Sequence, residues 1–125
     1  MRLYTGLVIA WTIVIFWATL TPAESLPESG LFDFPFFDKI AHFGLFVVFS
    51  YLLSGALWHR AQVNIAKSTR FFLAFTIAFV MSLLIEFLQK LIPGRDFEIL
   101  DILANLAGTV VGFLVWEMKL LKFSR

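Results

Sequence analysis

The amino-acid sequence predicts an all-α integral membrane protein whose four transmembrane helices form a compact bundle. The 125-residue chain is 60% hydrophobic and only 15% charged, whereas a soluble domain typically has about 45–50% apolar and about 25% charged residues. It also contains four apolar stretches that are long enough to cross about 30 Å of hydrocarbon, which takes roughly 20 helical residues. We therefore expect a single membrane domain over residues 1–125, without an appended soluble domain.

The composition also limits the function classes. A net charge of +1 gives no bulk attraction to polyanions, which argues against a nucleic-acid-binding protein. The chain contains no cysteine, and this excludes disulfides, thiolate metal sites and cysteine nucleophiles. Nothing in the sequence points to a bound cofactor, and no partner is predicted from composition except the lipid bilayer.

The first two predicted helices are almost free of charge. The first covers residues 3–20 and has no charged side chain. It is longer than the apolar region of a usual signal peptide, about 7–15 residues, and lacks an evident cleavage site, so we expect it to be retained. The second covers residues 40–58, where His42 is the single ionisable side chain.

The third and fourth predicted helices carry polar residues at neighbouring ends. The third covers residues 71–92, and its last turns contain Glu86, Gln89 and Lys90. The fourth covers residues 99–116, and its first turns contain Asp101 and Asn105. Both patterns predict membrane-crossing helices with polar groups near one membrane surface.

The charges of the connections predict the orientation. Residues 22–39 contain four acidic residues and one lysine, whereas residues 59–70 contain three basic residues and no acidic one. Because basic flanks stay in the cytoplasm, we place both termini and residues 59–70 inside, and residues 22–39 and 93–98 outside. The first outer connection is interrupted by prolines, but its residues 31–37 are strongly apolar. We therefore expect an interfacial or re-entrant outer loop there.

This topology brings the polar residues together near the outer surface, while the inner half of the bundle is expected to be almost entirely apolar. Intramembrane ionisable groups often mark functional sites. The candidate ligand-binding residues are Asp38, Lys39, His42, Glu86, Gln89, Arg95, Asp101 and Asn105. A purely structural role is the alternative, in which Glu86 pairs with Lys39 or Arg95, and Asp101 pairs with His42.

The fourth predicted helix has a face suited to close packing. At 100° per residue, Asp101, Asn105, Gly108 and Gly112 lie on one side of that helix. Gly108 and Gly112 form a small-residue motif with four-residue spacing, which lets a second helix approach closely. We expect the two glycines to serve helix packing.

Taken in order, the polar motifs resemble those of the VanZ-like family, small bacterial membrane proteins named for a teicoplanin-resistance protein. The motifs are Asp38-Lys39-x-x-His42, Glu86-x-x-Gln89, Arg95 and Asp101-x-x-x-Asn105-x-x-Gly108-x-x-x-Gly112. The resemblance covers roughly residues 38–112. It implies a cell-envelope role in the bacterial inner membrane and a possible part in glycopeptide resistance, but it implies no reaction.

The first functional hypothesis is a binding protein for an anionic or lipid-linked cell-wall precursor. Lys39 and Arg95, with a protonated His42, would hold a phosphate or carboxylate. Glu86 and Asp101 would orient these cations or accept an ammonium group.

The second hypothesis is a membrane-embedded hydrolase or transferase. Glu86, Asp101 and His42 are its candidate catalytic residues, acting as acid and base or holding a divalent metal. No established hydrolase motif or firm metal site is present, so binding is preferred over catalysis. A small four-helix transporter and a structural scaffold are the remaining alternatives, and the apolar inner half argues against a transporter.

Overall fold

The computed structural model describes residues 2–22, 25, 30, 36–60 and 65–123. These residues form four α-helices: α1 (Arg2–Leu20), α2 (Phe37–Arg60), α3 (Lys67–Gln89) and α4 (Ile99–Phe123). The described part of the chain contains no strand. All four helices are long and apolar enough to cross a membrane. The predicted all-helical class with four such helices is confirmed.

The helix ends differ from the predicted bounds. α3 stops at Gln89 instead of continuing to Ile92, because proline disfavours helical geometry at the residue before it and Pro93 follows. The chain leaves α3 through a tighter turn, in which the N–H of Ile92 donates to the carbonyl of Gln89 at 2.9 Å. Gly94 then adopts a φ of 76°, which glycine reaches without strain.

The other bounds are wider than expected because apolar patterning locates the hydrocarbon-crossing part of a helix, and polar ends remain helical beyond it. α2 begins at Phe37 rather than residue 40, so that Asp38 lies in its first turn, where a carboxylate interacts favourably with the helix dipole. α3 begins at Lys67 rather than residue 71, and α4 extends to Phe123 rather than residue 116.

α2 and α4 are the most closely packed pair of helices in the bundle. A Cβ atom added to Gly108 would overlap the carbonyl oxygen of Phe43, and one added to Gly112 would overlap the carbonyl oxygen of Val47. The two backbones are therefore in direct contact. This proximity fixes the side chains of the first turns of α2 against those of α4.

The remaining helices enclose an apolar core beside this pair, with Ile15, Phe46, Phe49, Ala74, Ala78 and Ile85 among its buried members. Many large apolar side chains lie on the outer surface, including Leu3, Ile13, Trp17, Phe72, Val80, Leu114 and Leu121. Such a surface is typical of contact with lipid, and the four spans support a multi-pass membrane protein. The expected interfacial or re-entrant segment at residues 31–37 lies almost entirely outside the described residues.

Candidate functional site

One end of the bundle collects polar side chains from α2, α3, α4 and the α3–α4 connection. We refer to this group as the polar cluster; it consists of Asp38, Lys39, His42, Glu86, Gln89, Arg95, Glu98, Asp101 and Asn105. All eight residues that the sequence suggested for ligand binding belong to it, and Glu98 is an addition. Five members are almost fully buried: His42, Glu86, Gln89, Asp101 and Asn105.

Lys39 lies between the carboxylates of the cluster. Its Nζ atom is 2.9 Å from Oδ1 of Asp101 and 3.6 Å from Oδ2 of Asp38. It also forms a short ion pair and hydrogen bond with Glu98. This single ammonium group therefore joins the start of α2 to the start of α4 and to the residue that precedes α4.

Arg95 connects the cluster to the end of α1. Its Nε and Nη2 atoms both donate to the backbone carbonyl of Thr21, at 3.3 and 3.1 Å. Its Nη1 atom lies 3.4 Å from Oδ1 of Asp38. Because the guanidinium group is held by one carbonyl and one carboxylate, it fixes the turn after α3 against two helices.

His42 belongs to a hydrogen-bonded chain that crosses three helices. Its Nδ1 atom lies 3.0 Å from Oδ1 of Asn105, and Nδ2 of Asn105 donates to Oγ of Ser82 at 2.7 Å. Since an amide oxygen only accepts hydrogen bonds, Nδ1 carries a proton in this arrangement. The second ring nitrogen, Nε2, then faces Asp38 and Asp101, at 3.9 and 3.8 Å.

Glu86 is fully buried and forms no ion pair with any residue that the structure describes. Its Oε2 atom accepts a hydrogen bond from the backbone N–H of Glu98 at 2.9 Å. The expected pairing of Glu86 with Lys39 or Arg95 is therefore wrong. The backbone N–H groups at the start of a helix lack intrahelical acceptors and attract a carboxylate, whereas the two cations contact Asp38, Glu98 and Asp101.

Several acceptor atoms of the cluster have no hydrogen-bond donor among the described residues. They are Oε1 of Glu86, Oε1 of Gln89, Nε2 of His42 and Oδ1 of Asp101, although this last atom has an ion-pair contact with Lys39. Gln89 uses its amide nitrogen to donate to the carbonyl of Thr19 at 2.8 Å, so its oxygen remains available. The cluster thus combines ion pairs with buried acceptors that no described residue satisfies.

Sequence reasoning missed Glu98. It lies in the connection before α4 rather than inside an apolar stretch, so the criterion of an ionisable group within the membrane did not select it. The available signal was its position directly before the first residue of α4, because backbone N–H groups at a helix start recruit acidic partners. Here the backbone of Glu98 binds Glu86 and its side chain binds Lys39.

The opposite end of the bundle contains a second, unexpected polar group. Nη2 of Arg70 lies 3.1 Å from Oε1 of Glu117, and both residues are buried. The Arg70 guanidinium also lies over the ring of Trp58, 4.6 Å from its centroid. The half of the bundle that was expected to face the cytoplasm is therefore less apolar than predicted. The reason is that Arg70 and Glu117, counted as solvated flanks, pack against one another between helices.

Buried hydroxyl groups between the two ends also contradict that expectation. Ser50 Oγ donates to the carbonyl of Thr109 at 2.7 Å, and Thr109 Oγ1 donates to the carbonyl of Asn105 at 2.8 Å. These hydroxyls are inexpensive to bury because a backbone carbonyl satisfies each one. The argument against a small transporter, which relied on an apolar inner half, no longer holds in that form.

Comparison with known proteins places the chain in a family. No match was found among curated proteins or among solved structures. The family model described as VanZ/LLP1 matches residues 4–121. This match is longer than the resemblance over residues 38–112, because it also covers α1 and the second half of α4. The matched region includes every member of the polar cluster, and the chain belongs to the VanZ/LLP1 family.

Proposed function

We propose that the polar cluster binds the headgroup of an anionic or lipid-linked cell-envelope precursor. One observation carries the proposal: buried acceptor atoms of Glu86, Gln89 and His42 lack donors within the described structure. Leaving a polar group buried without a partner costs about 1–3 kcal/mol. A headgroup that offers hydroxyl or amino donors would satisfy them.

The surface beside the cluster suits a lipid rather than a free solute. Three members of the polar cluster have an exposed apolar residue next to them in the sequence. These neighbours are Ile40 beside Lys39, Phe87 beside Glu86, and Leu100 beside Asp101. An acyl or isoprenoid chain can therefore pack outside the bundle while its headgroup enters the cluster. A phosphate of this headgroup would lie near Lys39 and Arg95, whose guanidinium has five N–H groups and uses three of them on the Thr21 carbonyl and Asp38.

We place the cluster on the outer side of the bacterial inner membrane, with both termini in the cytoplasm. Among described residues, the opposite end carries Lys67, Arg70, Lys119 and Lys122 against Glu117. Acidic residues are in excess at the cluster end. This distribution agrees with the retention of basic segments in the cytoplasm, and it would expose the cluster to precursors that reach the outer leaflet.

The binding proposal is tested by the lipids that remain with the purified protein. The full chain is extracted in mild detergent, and retained phospholipids and isoprenoid-linked lipids are quantified by mass spectrometry. We expect Arg95→Gln and Lys39→Gln to lose the retained phosphate-bearing lipid. Lys90→Gln, which removes an exposed cation at the same end, should retain it. Equal retention in all four proteins would contradict the proposal.

A second experiment must distinguish binding of free phosphate from binding of a lipid headgroup. Lipid nanodiscs containing phosphatidylglycerol are compared with nanodiscs of phosphatidylcholine in the presence of inorganic phosphate. If the protein is more stable in phosphatidylglycerol nanodiscs, and inorganic phosphate does not stabilise it in phosphatidylcholine nanodiscs, the ligand is a lipid. Stabilisation by inorganic phosphate in a phosphatidylcholine membrane would assign the site to a soluble anion and would contradict the lipid proposal.

A part in teicoplanin resistance is the physiological extension of this proposal, and its support is family membership alone. A protein that binds wall precursors at the outer surface would change the availability of the target of a glycopeptide. Cells expressing the wild-type chain should then tolerate more teicoplanin than cells expressing Arg95→Gln at the same protein level. Equal tolerance would remove this extension and leave the binding proposal in place.

A hydrolase or transferase is the second candidate, and Glu86 is the observation that favours it. This carboxylate is fully buried, and one of its oxygens has no hydrogen-bond partner among the described residues, so it is available to take a proton from an attacking hydroxyl or water. Asp101 is less suited because Lys39 contacts it directly. If the protein is an enzyme, Glu86→Gln should abolish product release from a retained lipid precursor without abolishing its binding.

A further inference from the structure

We propose that Asp38, His42 and Asp101 form a site for a divalent transition metal ion such as Zn²⁺ or Mn²⁺. One potential ligand atom from each residue lies within 4.8 Å of the other two. Asp38 and His42 are one helical turn apart on α2, and Asp101 comes from the first turn of α4. The contact between the α2 and α4 backbones at Gly108 and Gly112 holds these two helix starts together.

The imidazole presents the correct atom to this site. Because Nδ1 of His42 donates to Asn105, Nε2 retains a lone pair. His42 is 1% exposed, and Nε2 has no hydrogen-bond partner within the described ranges. Metal-binding histidines generally donate their other ring nitrogen to a carbonyl or carboxylate, which fixes the tautomer and the ring orientation. Asn105, itself held by Ser82, performs that role here.

The two carboxylates divide their oxygens between Lys39 and His42. Oδ2 of Asp38 and Oδ1 of Asp101 face Lys39, whereas Oδ1 of Asp38 and Oδ2 of Asp101 face Nε2 of His42. Ligands around a tetrahedral metal lie about 3.4 Å apart. The separations of 3.8 and 3.9 Å from Nε2, and the limit of 4.8 Å on all three separations, are wider than this, so the side chains must draw closer to hold an ion.

The charge of the cluster also favours a cation. Within the described part of the chain, the cluster contains four carboxylates, from Asp38, Glu86, Glu98 and Asp101, against the permanently charged side chains of Lys39 and Arg95. A divalent ion would offset the formal excess of two negative charges. One imidazole and two carboxylates are ligands suited to Zn²⁺ or Mn²⁺.

The three described side chains would leave at least one coordination position of a four-coordinate ion to be filled. Sites of this kind hold water or a substrate oxygen in the open position. With the metal bound, Nε2 of His42 is a metal ligand, so donors of the proposed headgroup would meet Oε1 of Glu86 and Oε1 of Gln89, and a phosphate oxygen would take the open position on the metal. The metal site itself depends on the three side chains and not on lipid binding.

The site is tested with Co²⁺ as a spectroscopic probe of Zn²⁺ binding. The untagged full chain is stripped of metal with a chelator in detergent and titrated with Co²⁺, and its visible ligand-field absorption is followed. We expect saturation at one equivalent and displacement by Zn²⁺. Asp38→Asn and Asp101→Asn should each weaken Co²⁺ binding at least about tenfold.

Asp96→Asn is the matched control, because it removes an exposed acidic residue from the α3–α4 connection outside the cluster. It should bind Co²⁺ as the wild type does. Asp38 is partly exposed, so Asp38→Asn remains informative if Asp101→Asn does not fold. Absence of saturable Co²⁺ binding by the wild type, or binding by both variants that equals that of the wild type, would overturn the metal site. Because no lipid is added, this failure is distinct from failure of headgroup binding.

Discussion

Nδ1 of His42 and Oδ1 of Asn105 lie 3.0 Å apart across the interface between α2 and α4. This contact aligns the imidazole that faces Asp38 and Asp101. It depends on Ser82 of α3, whose hydroxyl oxygen accepts a hydrogen bond from the amide nitrogen of Asn105. The orientation of one ring at the polar cluster is thus determined jointly by three helices.

Asn105→Ala should destabilise the protein by about 1–3 kcal/mol, because it leaves His42 and Ser82 without their buried partner. Thermal unfolding in detergent, monitored by circular dichroism, measures this effect. Leu103→Ala is the control on the same helix, since Leu103 is an exposed apolar residue and its truncation should have little effect. A similar loss of stability in both variants would mean that the hydrogen-bonded chain has no special importance.

Gly112→Ala should destabilise the α2–α4 pair by at least about 1–3 kcal/mol, which is the usual cost of overpacking. The added methyl group would overlap the backbone carbonyl of Val47, and backbone cannot move aside as a flexible side chain can. Thermal unfolding again gives the readout.

Gly44→Ala provides a close control for this substitution. A Cβ atom at Gly44 meets nothing within 4 Å, and alanine is favoured over glycine in a helix interior by roughly 0.5–1 kcal/mol. Gly44→Ala should therefore leave stability unchanged or raise it slightly. If Gly112→Ala behaved in the same way, the two helices would not be in the close contact described above.

The helical periodicity of the sequence was sufficient to place Asp101, Asn105, Gly108 and Gly112 on one face of α4, since that relationship depends on one helix alone. The partners of these residues depend on the rotation of the neighbouring helices about their own axes and on the position of each helix along the bundle. The sequence suggested Lys39 or Arg95 as the partner of Glu86, whereas the structure places Lys39 against Asp101.

The burial and the partners of charged residues at helix ends were the hardest features to predict from the sequence. Glu98 and Arg70 lie beside apolar stretches, and an exposed flank is the usual environment for a charge in that position. Their burial or pairing results from tertiary contacts, namely Lys39 with Glu98 and Glu117 with Arg70. Backbone acceptors such as the Thr21 carbonyl, which binds Arg95, have no sequence signature.

Arg70 and Glu117 should behave as a coupled buried pair. Glu117→Leu alone leaves the Arg70 guanidinium buried without its carboxylate, and we expect a loss of about 3–5 kcal/mol. The double variant Arg70→Met, Glu117→Leu should recover much of this loss, because both charges are then removed. A double-mutant cycle based on chemical denaturation measures the coupling.

Lys67 serves as the reference for an exposed partner of the same carboxylate. Its Nζ atom lies 3.7 Å from Oε2 of Glu117, and its side chain is 59% exposed. Exposed pairs contribute about 0–1 kcal/mol, so Lys67→Ala should change stability little. If Glu117→Leu cost no more than Lys67→Ala, Arg70 would be adequately solvated without Glu117.

The proposed orientation can be tested with single cysteines, because the natural chain contains none and labelling has no background. Asp96→Cys places a thiol in the exposed α3–α4 connection, and Lys67→Cys places one at the exposed start of α3. In intact cells, a membrane-impermeant maleimide should label Asp96→Cys and not Lys67→Cys, because the basic end is expected in the cytoplasm. Lys67→Cys should become labelled only after permeabilisation. The reverse pattern would place the polar cluster on the cytoplasmic side and would exclude headgroups of the outer leaflet as its ligands.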